Sequence, residues 1–218
     1  METKKRFAVV LSGCGVFDGS EIHESIMILY AILKNGGEYE IFAPDISQHH
    51  VVNHITGEEM NETRNVLVES ARIARGKIKD LSEFRAGEFD SLIFPGGFGA
   101  AKNLSSFAFD GADCSVDGQV EKAVRDMVDQ EKPIGAVCIA PALIARILDE
   151  PELTIGKDPE TASALEAMGA THKETTHGEV ITDTKHKLVT SPCYMLDATI
   201  MDIAAGADAL VKEIYRFF

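Results

Sequence analysis

One cysteine of this chain stands where a nucleophile can be made. The segment Lys132-Pro133-Ile134-Gly135-Ala136-Val137-Cys138-Ile139-Ala140-Pro141-Ala142-Leu143-Ile144 reads as a short apolar strand running straight into a helix, with Cys138 at the junction. A thiol at a helix start feels the positive end of the macrodipole and several unpaired backbone N–H groups, which predicts a lowered pKa and a reactive thiolate. A sharp strand-to-helix turn also lifts the side chain off the top of the sheet. It aims the next N–H, here that of Ile139, at an oxyanion forming on a bound carbonyl. Most cysteines are small packing residues; it is the position of this one that argues for chemistry.

The flanking sequence supplies the frame. Arg6 to Leu11 is a continuous apolar run of the kind buried on both faces of a sheet. After Gly13-Cys14-Gly15, Ser20 is placed to cap a helix in which Ile22, Ile26, Leu29, Tyr30 and Leu33 recur at helical spacing, ending at Asn35-Gly36-Gly37. Tyr39 to Ala43 then gives a second strand, making a βαβ unit and implying a parallel sheet. Residues 45–88 are irregular and polar, with a helix expected from Asn61 to Arg75, and read as an insertion over the core. Phe89 to Phe94 is the next strand, ending in Pro95-Gly96-Gly97-Phe98-Gly99, and a loop follows from Lys102 to Cys114. Val116 to Val128 is an amphipathic helix before the Cys138 strand, and Pro141 to Leu148 is the helix after it. Leu153 to Ile155 reads as a strand, and Asp158-Pro159 opens a helix closed by Gly169. Glu179–Thr182 and Lys187–Thr190 form a late hairpin, and Ile200 to Ile214 is the last helix. The expected fold is α/β: a three-layer, flavodoxin-like sandwich with a mostly parallel sheet and a late β-hairpin, built as one domain over residues 1–218.

Composition narrows the function. A formal charge of −14 argues against nucleic acid or an anionic membrane as partner. No apolar run approaches the roughly 20 residues of a membrane span, and Phe7 to Leu11 is too short for a signal-peptide core, which points to a cytoplasmic protein. Cys14, Cys114, Cys138 and Cys193 are widely spaced, so free thiols are expected rather than disulfides or zinc. His50 and His54 form an i,i+4 pair beside His49, but no carboxylate motif accompanies them and no metal is expected. Gly13-Cys14-Gly15 is half of a phosphate-binding fingerprint whose third glycine would fall at Asp18, so no dinucleotide cofactor is expected either.

Ligands of open parallel sheets bind beyond the carboxyl ends of the strands. Three features fall there: Gly13 to Glu24, Gly96 to Gly99, and the Cys138 elbow. With Pro95-Gly96-Gly97, Lys102-Asn103-Leu104, Cys138-Ile139-Ala140-Pro141 and Glu21-Ile22-His23-Glu24, the sequence resembles the class I glutamine amidotransferase-like superfamily. Within it, the chain is similar to the PfpI group, which includes protein deglycases, chaperones and glyoxalase III enzymes. Leu11 to Glu24, Asn53 to Glu58 and Glu62 to Leu67 resemble a narrower bacterial group, described as glyoxalases and as isoprenoid-biosynthesis proteins with an amidotransferase-like domain. This resemblance implies Cys138 as nucleophile, an oxyanion hole from the N–H groups of Ile139 and Gly97, and Glu24, favoured over Glu21, as the acid against the thiol. It also implies a homodimer. A charged carboxyl would repel a thiolate, so Glu24 is expected to be protonated at rest and to shuttle a proton.

Two departures shape the expected reaction. PfpI-type members carry a histidine directly after the nucleophile, where this chain has Ile139. Other relatives use one after the elbow helix, where this chain has Leu153-Thr154-Ile155-Gly156. A glutaminase needs an acid for the leaving amine, and here only His172 or His177 could reach in from a loop. The expected function is a cofactor-independent glyoxalase that converts methylglyoxal or glyoxal to the hydroxy acid through a Cys138 hemithioacetal. The alternatives are an electrophile- or redox-sensing protein of low turnover and, third, a glutamine amidohydrolase. Gly13, Cys14, His23 and Gly96 are further candidates for the pocket, Cys14 either as a second thiol or as a packing residue.

Overall fold

In the computed structural model, which describes residues 4–218, the chain order is β1 (Arg6–Val10), α1 (Ile22–Lys34), β2 (Glu38–Ala43), α2 (Val66–Ile73), β3 (Lys79–Asp80), β4 (Ser91–Phe94), α3 (Phe98–Lys102), α4 (Phe107–Asp110) and α5 (Gly118–Asp129). It continues with β5 (Ile134–Val137), α6 (Pro141–Ile147), β6 (Glu152–Leu153), α7 (Pro159–Ala167), β7 (Thr171–His172), β8 (Ile181–Asp183), β9 (Leu188–Ser191) and α8 (Ile200–Ile214). Seven strands make one sheet in the order β3-β2-β1-β4-β5-β9-β8, parallel except for the hairpin of β8 with β9. Strands β1, β4, β5 and β9 are almost wholly buried, as strands with helices on both faces must be. Helices α1, α2 and α8 enclose one apolar core against this sheet; α5, α6 and α7 enclose the other. This is the flavodoxin-like, amidotransferase-like sandwich that the sequence predicts.

Local differences have identifiable causes. Ser20 does not cap α1, because its hydroxyl accepts from the Ser12 N–H at 2.8 Å, and Glu21 takes the cap by accepting from the Glu24 N–H at 2.7 Å. The helix in 45–88 is shorter than expected, since Asn65 caps it through Val68 and Arg64 lies before it, paired with Glu62. That segment is also more than an insertion, because it supplies α2, the edge strand β3 and the buried residues Leu81, Phe84 and Ala86. The loop expected from Lys102 to Cys114 contains α4. Strand β6 covers Glu152–Leu153 rather than Leu153–Ile155 and pairs with β7 in a separate two-stranded sheet. Among the described residues no helix is long and apolar enough to cross a membrane.

The largest difference is the orientation of α1. Four of the apolar residues read from periodicity are on the outside: Ile22 is 42% exposed, Ile26 40%, Tyr30 57% and Leu33 55%. Glu24, Ser25, Ile28, Leu29, Ala31 and Ile32 face inward instead. The helix has two apolar faces, and the inner one carries a carboxylate into the core. Ile32→Ala should therefore cost about 2–5 kcal/mol in chemical denaturation, and more than Leu33→Ala; the reverse ranking would refute this orientation.

Candidate active site

The nucleophile candidate owes its geometry to the end of β5. Cys138 takes φ +58°, a left-handed conformation that costs a non-glycine residue about 1–3 kcal/mol. Its N–H donates to the Ser191 carbonyl at 3.0 Å, which ties the turn to the end of β9, and Pro141 opens α6 three residues later. The residue is 7% exposed.

Glu24 is brought to it by the inner face of α1 and has no exposed surface. Its Oε2 accepts from the Gly96 N–H at 3.0 Å and its Oε1 from the Tyr194 N–H at 3.1 Å. Gly96 shows how close the two groups are. A Cβ there would stand 2.7 Å from Glu24 Oε2, 2.3 Å from Cys138 Cβ and 2.9 Å from Cys138 Sγ. Any side chain at 96 would displace one of them.

Burial pushes the Glu24 carboxyl up to about 8, with the Glu21 charge adding to it; the N–H groups of Tyr194 and Gly96 and the Cys138 thiol pull the other way. At neutral pH it is mostly protonated. Burial also pushes the Cys138 thiol well up, and the Glu24 charge acts in the same direction. This corrects the expectation of an acidified thiol. The helix cap is Ala140 rather than Cys138, and α6 has only seven residues, so the macrodipole is weak at the sulfur and desolvation prevails. The backbone N–H groups of Gly97 and Ile139 do act on the sulfur and favour its charged form. Among the described residues neither N–H is engaged by a backbone carbonyl, so both are free to hold an oxyanion.

Cys138, Gly97 and Ile139 open on a cavity of about 540 Å³ whose wall also includes Val16, Phe98, Phe107, Glu160, Tyr194 and Met195. The other predicted pocket residues lie off this wall. Gly96 is beneath the sulfur and Gly13 gives its N–H to Ser70 on α2. Cys14 sits beside Glu69 and Arg72, and burial together with Glu69 raises its thiol. His23 is exposed and meets the cavity only through its Nδ1, 2.8 Å from the Tyr194 hydroxyl. His172 faces the Ile155 N–H, and His177 lines a separate depression with Cys193 and Asp202. Among the described residues no histidine lines the cavity, and no group of three His, Cys, Asp or Glu side chains is placed to hold a metal.

Tyr194 was missed from sequence, although a signal existed. It follows β9, and because β9 lies beside β5 its carboxyl end borders Cys138. Reading that strand only as half of a hairpin hid this neighbour.

The pattern of the DJ-1/PfpI family matches residues 16–202, spanning the acidic segment, the Gly96 turn and the elbow. The chain belongs to this family. It is 47% identical to the ES1 protein homolog, mitochondrial, of Rattus norvegicus, over 97% of this chain and 83% of the rat protein. It is 48% identical to the glutamine amidotransferase-like class 1 domain-containing protein 3, mitochondrial, of Homo sapiens, over 96% and 82%. Among solved structures it matches an isoprenoid biosynthesis protein with amidotransferase-like domain from Ehrlichia chaffeensis, with a TM-score of 0.92, 34% identity and 98% and 99% of the two chains covered. Glyoxalase III from Candida albicans shares the fold, with a TM-score of 0.64 at 16% identity over 98% and 97% of the chains. The names of the rat and human relatives place those proteins in mitochondria. This overturns the cytoplasmic expectation, which rested on composition alone.

Glu24 should make stability depend on pH. Its carboxyl titrates at 4.5 in the unfolded chain and at about 8 when folded. The folded state therefore holds the proton that the unfolded state releases, and stability present below 4.5 is lost as pH rises through about 8. In urea titrations, the stability of wild type relative to Glu24→Gln should fall between about pH 5 and 8, by at most about 1.4 kcal/mol per pH unit, and then level off. A constant difference across that range would contradict a neutral Glu24.

Proposed function

We propose that this member of the DJ-1/PfpI family is a cofactor-independent glyoxalase acting through Cys138. The observation that carries this reading is the contact of Cys138 with Glu24 under Gly96, at the floor of a cavity where two backbone N–H groups, engaged by no backbone carbonyl, face the sulfur. As Cys138 Sγ adds to the aldehyde carbon, the carboxylate form of Glu24 takes the thiol proton. The carbonyl π pair becomes an oxyanion held by Gly97 and Ile139. Glu24 passes that proton to the oxyanion, which restores the carboxylate and gives the hemithioacetal. Its carbon is bonded to the sulfur, so Glu24 is the base placed to remove the C–H proton and return it to the neighbouring carbon through an enediol. The result is a thioester of the 2-hydroxy acid, and water releases the acid and restores the thiol. Oxygen and hydrogen balance with one water, and no external oxidant is needed.

The other two readings fit less well. A peroxide or electrophile sensor needs a low-pKa, accessible thiol, whereas this thiol is buried and raised. A glutaminase needs an acid at the leaving amine, and no histidine of the cavity wall supplies one. Wild-type protein should convert methylglyoxal to lactate, while Cys138→Ala should lose at least about a hundredfold in kcat/KM. The wild-type rate should rise with pH through an apparent value near the 8 of Glu24, a value that belongs to the coupled pair. Equal turnover by Cys138→Ala, followed as lactate formation, would end this reading.

We also propose the homodimer that the family resemblance implies, with the exposed row Ile22, Ile26, Tyr30 and Leu33 of α1 covered by a second copy. The row is uncharged on a chain of net charge −14. Light scattering should give twice the chain mass for wild type and the chain mass for Tyr30→Glu/Leu33→Glu; an unchanged mass would exclude this face.

A further inference from the structure

We infer that the cavity above Cys138 selects an uncharged electrophile with an apolar body, so that on the glyoxalase reading the preferred substrates are aryl- or longer alkylglyoxals rather than methylglyoxal or any anionic aldehyde. The reaction rests on that reading; the selectivity rests on the cavity. Its volume, about 540 Å³, lies among those of sites for ligands the size of drugs, roughly 300–1,000 Å³, and far exceeds what methylglyoxal fills. Phe98, Ala101, Phe107, Ala108, Ile139 and Met195 give it an apolar wall. A small polar aldehyde would leave most of that wall in contact with water, whereas a ring or alkyl chain would displace the water.

The electrostatics exclude anions. Among the described residues no lysine, arginine or histidine lines the cavity. Lys102 stands 5.1 Å from the centre of the Phe98 ring and donates an ammonium N–H to the Phe17 carbonyl at 3.0 Å, which holds it off the cavity wall. The start of α7 borders the cavity, yet two of its N–H groups are occupied: that of Thr161 donates to Asp158 Oδ2 at 2.8 Å and that of Ala162 to the Asp158 carbonyl at 3.0 Å. Glu160, at the same helix start, puts a carboxylate on the rim. A phosphate or carboxylate would meet the Glu160 carboxylate and, among the described residues, no cationic side chain on the cavity wall.

Cys138 itself can report the selectivity without turnover. Rates of Cys138 alkylation by N-phenyliodoacetamide, iodoacetamide and iodoacetate would be read by intact mass. Each is divided by the reagent's rate with glutathione at the same pH, with Cys138→Ala as the background. The phenyl reagent should exceed iodoacetamide by roughly tenfold or more, an amount ordinary for filling an apolar pocket, and iodoacetate should fall below iodoacetamide by a similar factor. Glu160→Gln should raise the relative iodoacetate rate severalfold, and Ala164→Phe, which narrows the cavity, should reduce the phenyl preference. Three equal normalised rates, or iodoacetate as the fastest, would overturn the inference. In turnover, phenylglyoxal should exceed both methylglyoxal and 4-carboxyphenylglyoxal in kcat/KM. If the alkylation order holds and no glyoxal is consumed, the selectivity stands and the glyoxalase reading falls. If methylglyoxal is the best substrate and alkylation shows no order, the glyoxalase reading stands and the selectivity falls.

Discussion

Two ionisable side chains share one dry space at the centre of this molecule, and much of the surrounding structure serves to keep them there. Glu24 and Cys138 come from elements far apart in sequence, the third residue of α1 and the end of β5, and meet because Gly96 has no side chain. Two negative charges at that separation in a buried site would repel strongly. The arrangement is therefore compatible with two protons, or with one shared between carboxyl and sulfur, and poorly compatible with none. Backbone donors moderate the cost: Gly96 and Tyr194 on the carboxyl, Gly97 and Ile139 on the sulfur.

That constraint explains why the elbow is legible in sequence and its electrostatics are not. A strand of small and branched apolar residues, a cysteine and a proline-started helix are local signals, and they placed Cys138 at the tip of β5 correctly. The inference of an acid thiol used the helix end alone. The opposing terms, burial and the charge of Glu24, come from residues more than a hundred positions away in the chain and depend on the sheet order. The same limit hid Tyr194. Its hairpin is legible as two short strand-like runs flanking a turn at Asp183 to His186, but that β9 would lie against β5 is a tertiary fact.

Helix α1 illustrates the limit of periodicity. Its apolar residues occupy two faces, Ile28 and Ile32 toward the core and Ile22, Ile26, Tyr30 and Leu33 toward solvent. An apolar stripe is a sign of burial, but not of burial by the same chain. The inner face had to accept Glu24, a residue that sequence rules assign to the surface. Residues that break the ordinary burial rules without an ion-pair partner are often the functional ones, because no opposite charge repays the desolvation of the carboxyl.

A base lying beneath a thiol, rather than beside the substrate, suits some reactions better than others. Hydrolysis of an amide must deliver a proton to a nitrogen that departs away from the sulfur, whereas Glu24 lies buried against the sulfur itself. Addition to an aldehyde has no leaving group. Its first proton moves from sulfur to the carboxylate in contact with it. Its second lies on the carbon that has just bonded to that sulfur, so both transfers stay within one residue's reach. A raised carboxyl near 8 is also matched to the task, because it takes a proton and gives it back at similar cost near neutral pH. The sulfur needs no permanent charge in such a scheme, since its proton leaves only as the carbon–sulfur bond forms. The high pKa of Cys138, opposite to what the elbow alone suggests, is then a condition under which a buried thiol stays unreactive until an electrophile enters the cavity.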